Sequence, residues 1–168
     1  MIMKKLFLTL VGIVMFNFVF SQSFIGETKK NILKQLKPIS ISISKPEKID
    51  SGYYSIVIKF QSSTNLYYFT KSDFCYFYII MMEYNTDLFK LYIEDYDNKY
   101  LRAFINSTDA DNFDKKNNIW KEPKGNTFVY RWLIKNINKG TIYLLFMTKD
   151  NYDKYKYNYY QQLLSNNN

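Results

Sequence analysis

Residues 66–82 read "LYYFTKSDFCYFYIIMM". Two runs of aromatic and aliphatic residues flank the polar tripeptide Lys71-Ser72-Asp73. Aromatic and β-branched residues favour strands, and a link this short joins antiparallel neighbours. The stretch therefore predicts a strand, a tight turn and a longer strand. It also carries Cys75, the only cysteine in the chain. Alternation puts Cys75 with Phe77, Ile79 and Met81 on a core face, and Tyr76 and Tyr78 on the other.

Upstream, "ISISIS" (residues 39–44) alternates, with Ile39, Ile41 and Ile43 on one side. "YYSIVIKF" (53–60) sets Tyr54, Ile56, Ile58 and Phe60 against Ser55 and Lys59. Both read as strands, with "KPEKIDSG" as the loop between them. Before them, "GETKKNILKQLKP" (26–38) predicts a helix: Thr28 caps it, Ile32, Leu33 and Leu36 share a face near Ile25, and Pro38 ends it. Downstream, "NTDLFKLYIEDYDN" (85–98) predicts a second helix capped by Thr86, with Leu88, Leu91, Tyr92 and Tyr96 on one face. A hairpin turning at Asp97-Asn98 is the alternative. "KYLRAFINS" reads as a strand and "TDADNFDKKNN" as a polar loop. "TFVYRWLI" and "TIYLLFMT" are two further strands joined by "KNINKG". In the tail, Tyr152, Tyr155, Tyr159 and Leu163 recur at near-helical spacing, which allows a last helix, and the final residues should fray.

Helices and strands come in blocks, which disfavours a parallel doubly wound sheet. The order predicts an α+β fold: an antiparallel sheet with two or three helices packed on one face, arranged as helix-then-strands in tandem. The chain opens with Lys4 and Lys5, a 15-residue run from Leu6 to Phe20 and a small residue, Ser21. That is the order of a cleaved signal peptide spanning residues 1–21, an uncleaved anchor being the alternative. Export would leave residues 22–149 as one α+β domain and residues 150–168 as a Tyr/Asn-rich helix or tail, in the periplasm or outside the cell.

The motif Gly26-x-Thr28-x-x-x-Ile32-x-x-x-Leu36 followed by Pro38 resembles the opening of small exported bacterial domains of the β-lactamase-inhibitor-protein and outer-membrane-assembly small lipoprotein type. Lys37 stands where those families often carry glycine, and no cysteine follows the apolar run. The resemblance implies helices followed by an antiparallel sheet and a protein-binding role without catalysis. The Phe74-Cys75 strand, the helix after it and two isolated tryptophans also resemble uncharacterised small exported bacterial proteins.

Reactive chemistry is sparse. The chain has no histidine, which removes Ser-His-Asp triads, Cys-His pairs and His-containing zinc sites. Cys75 lies too far downstream for acylation and lacks a base, so it reads as a small buried hydrophobe. Carboxylates such as Glu47, Asp50, Asp73, Asp109, Asp111, Asp114, Asp150 and Asp153 are expected in loops or on solvent faces, with Glu83 and Glu94 beside or on the second helix. No pair stands in an apolar setting that would raise one pKa. Residues 109–114, "DADNFD", match a calcium loop only at Asp109 and Asp111, and Asn106 begins a glycosylation sequon. Glycine motifs for phosphate are absent. No catalytic residue, cofactor or metal is expected.

Lys4 and Lys5 leave with the leader, taking the basic side chains from 23 to 21 against 15 acidic ones, a net charge of +6. "YDKYKYNYY" interleaves lysine and tyrosine as nucleic-acid binders do, but export disfavours that partner. Aromatic residues make up 20% of the chain, and tyrosine and tryptophan are frequent interface anchors. The expected function is therefore non-enzymatic binding of another protein or an envelope component through exposed aromatic and Lys side chains. Trp120 beside the polar loop, Tyr76 and Tyr78 are the expected binding residues, and Trp132 is expected in the core. A carboxylate-dependent glycan hydrolase and a polyanion binder are the alternatives. Cys75→Ser should lose stability by burying a hydroxyl yet keep the activity of the folded protein; an inactive but folded variant would overturn the structural role of the thiol.

Overall fold

The computed structural model describes residues 23–102 and 118–165. The expected leader, the sequon at Asn106 and the 109–114 loop lie outside the described residues. Helix α1 (Lys29–Leu36) begins at Thr28, whose hydroxyl accepts the Asn31 amide at 3.3 Å, and it buries Ile32 and Leu36. It runs straight into a 3-10 turn, Lys37–Ile39, with Pro38 at its start. That turn takes Ile39 out of the expected "ISISIS" strand. The strand is cut to β1 (Ser42–Ile43), with the flanking amides of Ile41 and Ser44 reaching the Lys59 and Val57 carbonyls, and the Ile41 side chain is exposed.

The presumed loop after it contains β2 (Glu47–Asp50), paired with β3 (Tyr53–Lys59). Then β4 (Ser63–Phe69) and β5 (Cys75–Glu83) complete an antiparallel meander. Helix α2 (Thr86–Lys99) follows, so the hairpin alternative is excluded. Its cap is Asn85 rather than Thr86: the Asn85 side-chain oxygen accepts the amides of Asp87 and Leu88 at 2.9 Å each. The buried face is Phe89, Tyr92 and Tyr96, while Leu91 is exposed. The second meander comprises β6 (Leu101–Arg102), β7 (Ile119–Lys124), β8 (Thr127–Asn136) and β9 (Thr141–Met147), and α3 (Lys149–Ser165) follows it.

All strand pairs are antiparallel, and the sheet runs β1-β3-β4-β5-β9-β8-β7-β6, with β2 beside β3. Each half proceeds from an outer edge to the centre, and the two halves meet where β5 pairs with β9 over seven residue pairs from Phe77↔Met147 to Glu83↔Thr141. The result is an α+β fold in which helix-then-strands occurs twice.

The main core lies under α1 and α2. Ile32, Leu36, Phe89, Tyr92 and Tyr96 pack there on Ile56, Ile58, Tyr67, Tyr78, Ile80, Leu133, Leu144 and Phe146. The segment before α1 joins this core: Phe24 is buried edge-on against Tyr67 and Tyr78, at 6.0 Å from each. The Lys124 ammonium ties that segment down by donating to the carbonyls of Ser23 (2.9 Å) and Ile25 (2.6 Å). A smaller core, Phe77, Ile119, Tyr130, Trp132, Leu145 and Met147, occupies the opposite sheet face under Tyr152 of α3. Two helices thus share one face and the third lies on the other.

Across the main-core face runs one row of directly paired residues: Ile56, Tyr67, Tyr78, Phe146, Arg131 and Trp120. Tyr67 stacks on Tyr78 at 5.2 Å, and Tyr78 on Phe146 at 4.2 Å. The Arg131 guanidinium continues the stack, 4.7 Å from the Phe146 ring and 4.3 Å from Tyr100. Arg131 is fully buried, and its two forked nitrogens reach Glu122 Oε2 at 3.0 and 2.6 Å. Removing one partner of such a pair strands the other charge. Arg131→Met should therefore lower stability by about 3 kcal/mol, the low end of that range because Glu122 keeps some contact with water. Urea unfolding should show the midpoint falling at constant slope. Adding Glu122→Gln should recover part of the loss, because the stranded carboxylate is gone.

Candidate functional site

The expected binding residues separate in the structure. Trp120 is fully buried, which corrects its expected exposure. It lies in β7, between β6 and β8, where Tyr96 meets it edge-on at 5.2 Å. Its indole N–H donates to Asp97 Oδ1 of α2 at 2.8 Å, so the polar end of the ring is satisfied inside the fold. Trp132 is buried, as its alternation in the strand predicts.

Tyr78 is also buried, contrary to the parity argument. The cause is a β-bulge: Tyr68 pairs with Phe77 but Phe69 pairs with Cys75, leaving Tyr76 as the extra residue. One added residue reverses the alternation on either side of it. Cys75 therefore shares the main core with Tyr78, Ile80 and Met82, while Phe77 joins the smaller core and Ile79 packs against it. Burial pushes the Cys75 thiol up to about 12, so it is protonated at neutral pH.

Tyr76 is half-buried and belongs to a tyrosine cluster beside the smaller core. Its ring meets Tyr53 edge-on at 5.5 Å and Tyr68 at 6.4 Å. Tyr68 stacks on Phe77 at 5.1 Å, and Tyr155 of α3 tilts over Phe77 at 5.3 Å. Burial, with neighbouring phenols adding to it, holds the Tyr68 and Tyr76 hydroxyls above their ordinary pKa; burial does the same for Tyr155. These groups stay protonated at neutral pH and can donate hydrogen bonds. Tyr53, not singled out in the sequence, joins them from the start of β3, where Ser55 on the same face pairs with Tyr68.

From this cluster the second sheet face continues over Val57, Leu66, Ile79, Met81, Tyr143 and Ile134, each half-buried. They are the alternate residues to the main-core row, left with the sheet beneath them and only partial cover above. At one end the face opens into a depression of about 450 Å³ between Thr64, Met81, Met82, Glu83, Gly140, Thr141 and Tyr143. Lys59 and Lys121 share the face with Glu47 and Glu83 by strand register, so its charges balance.

On the opposite side, at the foot of α1, Tyr54 donates a short hydrogen bond to Asp73, and Lys29 reaches the same carboxylate at 3.3 Å. The Tyr54 hydrogen bond, with Lys29 behind it, holds the Asp73 carboxyl below its ordinary pKa. A glycosidase acid needs the reverse shift.

Family models, curated proteins and solved structures yield no match to this chain.

Because the native pKa of Asp73 is depressed, its contribution is present above about pH 4 and is lost as the pH falls through the native value. Asp73→Asn should thus be less stable than the parent at pH 7, by under about 1 kcal/mol for so exposed a carboxylate. The two proteins should converge in stability near pH 2; a gap that persists there would contradict the assignment.

Proposed function

We propose that this chain is an exported, non-enzymatic binding protein that recognises a folded protein through the open sheet face. The observation that carries the reading is the contiguous half-buried surface of Val57, Leu66, Tyr68, Tyr76, Ile79, Met81 and Tyr143. A soluble domain rarely leaves so continuous an apolar surface without a partner. Its tyrosines offer rigid rings with wet hydroxyls, the composition of interface centres. Balanced charges on the face favour a protein over a polyanion, whose binding would use a one-signed patch. The resemblance of the α1 segment to inhibitor and assembly proteins, and the tandem helix-then-strands order, point the same way.

Export follows from the charged and apolar N-terminal pattern. Mass spectrometry of the protein recovered outside the cytoplasm should find a chain beginning at Gln22; a chain still carrying Met1 would overturn cleavage after Ser21.

A photo-crosslinking residue in place of Tyr143 should couple the protein to one partner in envelope extract, whereas the same residue in place of Lys34 on α1 should not. With that partner purified, Tyr143→Ala or Tyr68→Ala should weaken binding by about tenfold or more, as expected for an interface anchor. Equal coupling from both positions, or unchanged affinity in both variants, would remove the open face from the interaction.

A further inference from the structure

Strand register builds the depression at the end of the open face. Met81 pairs with Thr64 on one side and with Tyr143 on the other, and in the next row Glu83 pairs with Thr141. Strand β4 begins at Ser63, opposite Met82, so Glu83 has a paired strand only on the β9 side. Opposite charges facing each other across a sheet attract, but the residue across from Glu83 is a threonine. Glu83 is exposed, and the ion pairs among the described residues lie elsewhere: Lys29–Asp73, Lys99–Asp95, Lys124–Glu27, Arg131–Glu122 and Lys149–Asp153. Lys59, paired with Thr64, and Lys139, beside Gly140, lie at this end of the sheet, yet neither forms an ion pair with Glu83.

The surface around that carboxylate is apolar and polarisable. Met81 and Tyr143 are half-buried, and Tyr143 packs against the smaller core, which steadies its ring. Diagonal neighbours on adjacent strands stand about 7–8 Å apart, a gap that one long side chain bridges. A single group can therefore touch the Tyr143 ring and the Glu83 carboxylate together. The Thr141 hydroxyl donates to the Lys139 carbonyl at 3.0 Å, and its oxygen can still accept. No lining residue is cationic. An anion would meet Glu83 as a like charge, and an apolar group would cover the carboxylate without compensating it. A guanidinium meets both demands. Its fork of donors matches a carboxylate, its flat face lies on an aromatic ring, and it is more weakly hydrated than an ammonium. The Met81 thioether adds a soft surface for the stem of the same side chain.

We propose that the depression is a subsite for an arginine side chain, with Glu83 taking the guanidinium and Tyr143 and Met81 taking its flat face and stem. The use of this subsite by a protein partner rests on the binding role proposed above; the affinity for a guanidinium does not. The partner then presents an arginine at the margin of an apolar patch, and arginine is among the residues that most often dominate interface energies.

Nuclear magnetic resonance of the exported chain, with isotope-labelled methionine methyl groups, tests the subsite with no partner present. Titration with Nα-acetylarginine amide at low salt, where exposed charges are least screened, should shift the Met81 methyl signal with a dissociation constant of about 10 mM or below. The signal of Met147, fully buried at the other end of β9, should stay in place and report that the chain is folded. The neutral citrulline counterpart should leave Met81 unmoved, and the lysine counterpart should bind at least about threefold more weakly. Glu83→Gln, with its Met147 signal unchanged, should weaken the arginine amide by at least about threefold. No shift at Met81, an equal response to citrulline or lysine, or unchanged affinity in Glu83→Gln would overturn the subsite, even where a partner couples at Tyr143. An arginine amide that binds as expected while no partner couples at Tyr143 would uphold the subsite and remove the binding role alone.

Discussion

The buried guanidinium of Arg131 is the constraint around which the second half of the fold is arranged. A charge with no access to water must be paired and hydrogen-bonded or it unfolds its surroundings. Here Glu122 receives both ends of the fork, Tyr96 lies within 3.3 Å, and the rings of Phe146 and Tyr100 cover the planar faces. These partners come from β7, α2, β9 and the residue after α2, so one side chain fixes four parts of the chain relative to one another. It also specifies register. Arg131 and Glu122 share a face because Trp120 pairs with Arg131 and Glu122 with Val129. A slip of one residue would turn Glu122 to the other side and leave the cation alone.

Arg131 is at the same time one member of the aromatic row that spans the seam. Tyr67 and Tyr78 come from the first half, Phe146 and Arg131 from the second, and Phe24 and Tyr96 close over the row from the helix side. The two meanders are thereby joined twice, by the β5–β9 hydrogen bonds and by stacking across them. Because this face is sealed so completely, the opposite face need not carry the stability of the fold. It can remain half-covered, which is the condition a recognition surface requires.

Much of the architecture was legible in the sequence because it depends on local patterns. The helices at 29–36 and 86–99, the β4–β5 turn and the late hairpin all follow from periodicity and turn residues. The site was less legible. Tyr78 was misplaced because a bulge at Tyr76 changes the parity of β5, and nothing in "FCYFYIIMM" marks where the extra residue falls. Trp120 was misplaced because it was judged by the polar stretch before it, while "IWKEPK", with a proline and two lysines, offers no strand alternation to assign. Pro123 is tolerated there because β6 pairs only with Trp120 and Lys121, leaving the far end of β7 at the sheet edge. Ile39 and Ile41 show the converse error, a perfect alternation in which the 3-10 turn takes up Ile39, and Ile41, though its amide reaches the Lys59 carbonyl, points to solvent at the sheet edge.

By itself the sequence determined the class of fold, the order of its elements and the scarcity of reactive side chains, since composition and short-range periodicity bear on each segment separately. Only the tertiary structure decided which face each aromatic residue occupies, that α3 crosses to the side opposite α1 and α2, and that Arg131 sits within a ring of aromatics. Those outcomes depend on strand register and on contacts between residues far apart in the chain. A single bulge or one buried charge sets them, and neither has a local signature strong enough to read in advance.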